Sequence, residues 1–430
     1  VLKGLKVTDG QSGNSDSSGP TKVGQGIGNG LLLLLLLLTY IFNFLDRQIL
    51  SILAIPIQQD LGLSNRQMAL MSGLAFASVY STLAIPIARY ADRGRKVVTI
   101  AASLSVWSLF TALCGLGQNF WQLFLARLGV GVGEAGGVAP SYALIADRFS
   151  PSHRARALAI FSLGIPIGSA LDLFFGGWLA SAFHWRWAFI IIGLSGLPLA
   201  LLLWRLVKEP PHHDRVADPA FLTVARQLAA KPAFWFLSFG AASGSICGYG
   251  LGFWLPKYLS QQFSLPLAEL GQYFGSIVLI GGMAGIWLGG WLADRFGRAR
   301  YAAYALLPAL AFGLTAPGYW LAFGATDRGY GWLLYLLPYC LSLVWLGPIV
   351  HAVQGLVTAD RRGTAAACFL LINNLIGIGF GTYVFAELTE QLTPVFGDQA
   401  FGLALRYGLG FYGLGALFLL LAALYLRRDS

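Results

Sequence analysis

Ala91-Asp92-Arg93-Gly94-Arg95-Lys96 and, much later in the chain, Gly290-Trp291-Leu292-Ala293-Asp294-Arg295-Phe296-Gly297-Arg298 are two copies of one loop. Each follows an apolar run of helical length and sets an aspartate beside several basic residues. A second correspondence joins Pro140 to Pro348 and Arg154 to Arg362. Both sets recur at nearly one spacing, roughly 200 residues, and at equivalent apolar runs. The pattern argues for two parallel halves, which enclose a site at their interface near the bilayer midplane.

Composition agrees. The chain has 430 residues, of which 56% are hydrophobic and 11% charged, whereas soluble proteins carry about a quarter charged residues. At about 20 apolar residues per crossing, the supply suffices for roughly twelve helices. A soluble enzyme, a nucleic-acid binder and a disordered scaffold are thereby disfavoured. The expected spans are 31–55, 67–88, 97–117, 120–146, 154–180 and 185–207, then 232–259, 268–292, 301–323, 331–357, 363–388 and 404–426. The fold class is an all-α membrane protein of twelve transmembrane helices in two pseudo-symmetric six-helix bundles. Residues 1–30 read as a flexible cytoplasmic tail, 31–207 as the first bundle, 208–231 as a cytoplasmic linker and 232–430 as the second bundle.

The net charge of +10 is spread over short loops, which speaks against a nucleic-acid partner. Arg89, Arg93, Arg95, Lys96, Arg148, Arg154, Arg156, Arg205, Lys208, Arg215, Arg226, Lys231, Arg295, Arg298, Arg300, Arg361, Arg362, Arg427 and Arg428 fall on one side of the spans. The other side holds Arg66, Arg186, Lys257, Arg328 and Arg406. By the positive-inside rule both termini and the linker are expected in the cytoplasm. Cys114, Cys247, Cys340 and Cys368 lie in apolar stretches without metal or disulfide spacing, and no metal or cofactor is expected. Gly24, Gly26, Gly28 and Gly30 follow no strand and precede no Lys-Ser/Thr, so they read as part of the tail rather than a phosphate loop.

Ionisable groups at bilayer depth are costly, and their default reading is functional. Asp46 and Arg47 fall near the middle of the first span, and Glu134 near the middle of the fourth. Arg127 precedes Glu134 by two helical turns, about 10.5 Å at 1.5 Å per residue, and shares its face. The economical arrangement is Arg47 bridging towards Glu134, with Asp46 on the same cavity wall. A fixed buried ion pair that only joins the two spans is the structural alternative. Burial raises a carboxylate's proton affinity and a nearby arginine lowers it, so moving Arg47 would couple protonation to conformation. Asp172 interrupts the glycines Gly164, Gly168 and Gly176, which form a small-residue helix face at four-residue spacing. Local variation, an engineered change, a side chain reaching water and a proton site all fit it. The second half offers Tyr249, Trp254, Lys257, His351, Asn373 and Asn374 as pathway residues, each equally at home satisfied inside the bundle.

The repeated Asp-Arg-x-Gly-Arg loop resembles the signature of the major facilitator superfamily, although the first copy is one residue short. Arg127-Leu-Gly-Val-Gly-Val-Gly-Glu134-Ala135 resembles its fourth-helix motif. Tyr40-Ile-Phe-Asn-Phe-Leu-Asp46-Arg47, with Gly133-Glu134-Ala135, is most similar to the Spinster family, here as a bacterial homologue. The resemblance implies a proton-linked transport site at Asp46, Arg47 and Glu134. It also implies cytoplasmic latches that hold the outward-facing state: Asp92 with Arg361 or Arg362, and Asp294 with Arg154, beside Arg93, Arg95, Arg295 and Arg298. The substrate implied is an amphiphilic lysophospholipid or sphingolipid, which suits a charged first half facing an apolar, aromatic second half. An exporter of drugs or organic anions is the alternative. A monomer in the bacterial inner membrane, with protons and membrane lipids as partners, completes the expectation. No catalytic constellation or ATP-binding loop is present, so an enzyme or a primary pump is not expected.

Overall fold

Where these helices break, and where glycine lets them touch, decides how the two halves meet. The structure is a computed structural model describing residues 27–209, 221–297, 300–358 and 361–426. Residues 1–26 of the expected tail, residues 210–220 of the linker, Arg298, Arg427 and Arg428 lie outside the described residues.

Among the described residues nine helical runs are long and apolar enough to cross a membrane, the last being the 65-residue run Arg362–Leu426. That run turns at Gly397, whose positive φ of 52° ends the helix Arg362–Phe396 before Ala400–Gly408 and Gly410–Leu426 return. Pro232–Phe263 adds a helix of spanning length, as do Phe120–Glu134 and Val138–Arg148 laid end to end. The described helices thus group into twelve rods, as expected. Several overrun the expected bounds: the first continues as Ala54–Leu61 beyond Asn29–Ile52, and the eleventh extends to Phe396.

The fourth and tenth rods are discontinuous at corresponding places. The fourth resumes at Val138 with Pro140 in its first turn, and the tenth resumes at Leu346 with Pro348 at the same step. Proline is tolerated there because the first-turn N–H groups have no intrahelical partner. Paired breaks in two repeats are the architecture that puts irregular backbone beside a central cavity. The second rod carries a π-helical turn at Leu70–Leu74, a feature that often marks functional sites.

Close approach rests on small residues, because helices in lipid gain little from burying apolar surface and depend on packing. Gly193 lies against Ala112, Gly133 against the Trp107 backbone and Gly289 against Val344. Between the halves, Gly177 of Gly164–Ala182 meets Gly271 of Leu267–Leu292. A Cβ on Gly177 would stand 2.7 Å from the Leu267 carbonyl, and one on Gly271 would run into the Leu173 carbonyl.

Overpacking costs about 1–3 kcal/mol. Gly177→Leu and Gly271→Leu should therefore lower the thermal midpoint of purified protein in detergent, whereas Gly290→Leu, which meets nothing within 4 Å, should leave it unchanged. Equal midpoints for all three would show that the glycine contact does not hold the halves together.

Candidate functional site

The site begins with one arginine on the first helix. Arg47 donates from Nε at 2.9 Å and from Nη2 at 2.5 Å to the same oxygen, Oε2 of Glu134. Its Nη2 also reaches Asn43 Oδ1, one turn earlier, at 3.4 Å. The guanidinium carbon lies 5.1, 4.8 and 5.1 Å from the ring centres of Phe44, Phe76 and Tyr80, and these rings favour a cation. Tyr249 of the second half stands beside it. Glu134 is the last residue of Phe120–Glu134, with no exposed surface, against 9% for the Arg47 side chain. A helix C-terminus carries partial negative charge, so Arg47 is the group that compensates this carboxylate. Asn43 also stands beside the Glu134 carboxyl group.

Arg127 is fully buried but does not pair with Glu134. Its Nη1 and Nη2 donate to the backbone carbonyls of Asp46 and Arg47 at 3.0 and 3.2 Å. Asp46 is fully buried, with the Thr111 hydroxyl and the Trp107 indole beside its carboxyl group. The four first-half residues thus lie close together, with Arg47–Glu134 as the direct contact; Asp46, expected on a cavity wall, is instead buried among the helices of the first half.

A cavity with about 950 Å³ of atom-free space, part of it open to solvent, lies between the halves next to Arg47. Phe44, Gln48 and Ser169 face it from the first half, and Tyr249, Tyr339 and Tyr412 from the second. Tyr249 therefore takes the expected pathway position. Asn373 is set one step back, accepting from the wall residue Ser245 at 2.9 Å, and its neighbour Asn374 accepts from it at 3.4 Å. Trp254 is buried and donates to the Thr382 carbonyl at 2.9 Å, so it packs the second half rather than lining the cavity. His351 is exposed, with its ring 4.5 Å from that of Tyr304, and Asp294 and Arg362 are its charged neighbours. It belongs to the Asp294 end, not to the middle of the pathway. Asp172 is fully buried and is not part of the cavity wall.

Lys257 lies at the end remote from Asp92. It donates to Gln58 Oε1 and Asn65 Oδ1, both at 2.8 Å, from the second half to the first. At the same end Arg66 pairs with Glu387 at 2.7 Å and Glu390 at 3.1 Å, and Thr382 donates to the Ala69 carbonyl beside the π-helical turn. These bonds close the structure at that end. The Asp92 end is different. Asp92, Arg93, Arg95, Asp294, Arg295 and Arg362 are exposed. Among the described residues Asp92 is not joined to Arg361 or Arg362, nor Asp294 to Arg154. Instead Arg95 donates to Tyr90, Arg154 to the Ala146 carbonyl and Arg361 to Gln227. The expected latches are apart in this conformation, while a set of clasps that sequence reading missed is engaged. The acidic pair Glu387 and Glu390, one turn apart on a helix end facing the lone Arg66, was the available signal.

The Major Facilitator Superfamily model matches residues 36–382. An MFS-type efflux pump of Mycolicibacterium smegmatis is 34% identical, covering 97% of this chain and 96% of that protein. Protein spinster homolog 1 of Xenopus tropicalis is 26% identical, covering 93% of this chain and 81% of that protein. The crystal structure of a bacterial homolog to the human lysosomal transporter Spinster, inward-facing and unoccupied, superimposes with a TM-score of 0.83 at 28% identity. It covers 93% of this chain and 98% of that one.

Removing one member of a buried ion pair costs about 3–5 kcal/mol, because the other charge is left uncompensated. Arg47→Ala and Glu134→Ala should each destabilise the protein by that order, and the double variant by much less than their sum. Additive losses in denaturation experiments would mean that the two side chains do not act as a pair.

Proposed function

The chain belongs to the major facilitator superfamily and is an integral multi-pass membrane transporter, and on that premise we propose that it is a proton-coupled secondary transporter of amphiphilic lipids working by alternating access. The observation that carries the reading is the Arg47–Glu134 contact at the edge of an aromatic cavity. In the proposed orientation the Asp92 end faces the cytoplasm of a bacterial inner membrane, with both termini on that side and the Arg66 end closed. The chain acts as a monomer.

The chemistry follows from competition for one guanidinium. While Glu134 is ionised it holds Arg47. An anionic head group that takes Arg47 leaves Glu134 a buried carboxylate without a cation, a costly state unless it gains a proton. Head-group binding and protonation of Glu134 therefore favour one another, and by linkage the favour is mutual. Asp46 adds a second acid on the same helix. The acyl tail lies along Phe44, Tyr249, Tyr339 and Tyr412, which supply apolar and ring surface without a dense set of hydrogen-bonding groups. The exposed charges Asp92, Asp294, Arg362 and their neighbours close the cytoplasmic side in the opposite conformation, in exchange for the Arg66 and Lys257 clasps. Each exposed pair is worth about 1 kcal/mol or less, and a few together suffice to shift a two-state balance.

Export of drugs or organic anions through the same site is the second reading, favoured by the efflux-pump name of the Mycolicibacterium smegmatis relative.

In sealed vesicles, uptake of lysophosphatidylglycerol should follow an imposed pH gradient, and Glu134→Gln and Asp46→Asn, compared at equal amounts of folded protein, should abolish that dependence. Affinity for this lipid, whose phosphodiester keeps its charge, should rise as pH falls in the wild type and be flat in Glu134→Gln. Arg47→Ala should lose binding. Undiminished gradient-driven uptake in both acid variants would falsify the coupling role. Dyes or organic anions taking the lipid's place as the transported species would favour the second reading.

A further inference from the structure

A narrow niche opens off the central cavity. Gln48 and Ser51 of Asn29–Ile52 line it with Ser169 of Gly164–Ala182, and from the second half come Gly252, Phe274 and Tyr339. Gln48, Ser169, Gly252, Phe274 and Tyr339 also face the main cavity, so the two spaces are continuous. Gln48 follows Arg47 directly in the chain, and Ser51 stands one helical turn beyond it, about 6 Å at 1.5 Å per residue. The niche therefore lies a few covalent bonds away from a group held by Arg47.

Its chemistry differs from that of the space it opens from. Polar and apolar atoms share its wall evenly, whereas the main cavity is mostly apolar. Ser51 and Ser169 are 3% and 6% exposed. Yet among the described residues no protein group hydrogen-bonds to either hydroxyl, to the Gln48 amide or to the Tyr339 hydroxyl. Other hydroxyls on the cavity wall are satisfied: Ser245 donates to Asn373 at 2.9 Å, and Ser342 to the Tyr339 carbonyl at 2.7 Å. Buried polar groups are normally paired, and leaving them unpaired costs free energy.

Three hydroxyls and an amide supply donors and acceptors without charge, and among the described residues no charged side chain lines the niche. That set suits a hydroxyl, which both donates and accepts. An ammonium or a carboxylate would lose its hydration there without a counter-charge. The interior admits a group the size of one water molecule, so neither a trimethylammonium group nor a second acyl chain fits.

We propose that the niche is a hydroxyl-recognition subsite, in which Gln48, Ser51, Ser169 and Tyr339 bind a free hydroxyl of a single-chain lipid whose phosphate is held by Arg47. The inference rests on the lipid reading above and deepens it. A free hydroxyl between phosphate and chain is what separates a lysolipid or sphingoid substrate from a two-chain phospholipid. A glycerol head group carries the same chemistry on the other side of the phosphate.

Equilibrium binding to the purified full chain tests this with three probes of equal charge and chain: lysophosphatidylglycerol, its 2-deoxy analogue and lysophosphatidylmethanol. The Kd of the 2-deoxy analogue should be about tenfold that of the parent, as expected for one hydrogen-bonded hydroxyl. Ser169→Ala and Tyr339→Phe, which remove an oxygen and little else, should each shrink this ratio, and Gln48→Leu should bring it near unity. Gly252→Ala, whose added methyl meets nothing within 4 Å, should also shrink it by filling the niche, in a protein at least as stable as the wild type. The same loss seen with lysophosphatidylmethanol instead would keep the subsite and assign it to the head-group hydroxyls. Equal affinity for all three probes, or a ratio untouched by the variants, would overturn the subsite and leave lipid binding intact. If the wild type bound none of the three, the lipid reading would fall and the subsite with it.

Discussion

A guanidinium buried in a membrane protein must be answered by something, and here the answer is one oxygen of Glu134 bonded twice by Arg47. The rest of the architecture serves that contact. Asn43 and the rings of Phe44, Phe76 and Tyr80 hold the cation from its own half. The break after Glu134 ends the fourth helix where the carboxylate is needed, and Gly133 lets that helix lie against Trp107 closely enough to place it. Tyr249, the neighbour from the second half, makes the pair sensitive to how the halves are arranged. A contact of this kind contributes little net stability when compared with an apolar replacement. Its persistence at such cost is better explained by what it can exchange than by what it holds together.

The two ends of the molecule divide the conformational work. Arg66 with Glu387 and Glu390, and Lys257 with Gln58 and Asn65, tie the halves at one end. The Asp92 and Asp294 loops at the other end are exposed. Each set is weak taken singly, and that suits the alternation proposed for the transporter. The close glycine contacts between Gly164–Ala182 and Leu267–Leu292 provide the packed surface about which the halves can rock.

Much of this was legible in the sequence because membranes punish exceptions. Asp46, Arg47, Glu134 and Asp172 stood out as charges in apolar runs, and the structure buries all of them or nearly so. The repeat was legible through Pro140 and Pro348, which prove to sit at the same step after matching helix breaks. Other features were hidden for physical reasons. Spacing puts Arg127 on the face of Glu134 but does not say where a long side chain ends, and it ends on backbone carbonyls. Arg66 and Glu387 are 321 residues apart, so only the folded chain brings them together. Tyr339 and Tyr412 line the cavity but carried no sequence signal, because a cavity wall and a helix seam use the same residues. Trp254 and His351 show the converse: one donates to the Thr382 carbonyl, the other lies against the Tyr304 ring, and neither lines the cavity.

The central claim is that protonation at Glu134 releases Arg47 and with it the arrangement of the halves. Spin labels placed across the Arg66 end and across the Asp92 end, with distances measured by pulsed electron resonance over a pH series, test this most directly. The wild type should exchange population between two distances at each end as pH changes, one end opening as the other closes, and Glu134→Gln should stay in one distribution at every pH. The same pH response in Glu134→Gln as in the wild type would contradict the account.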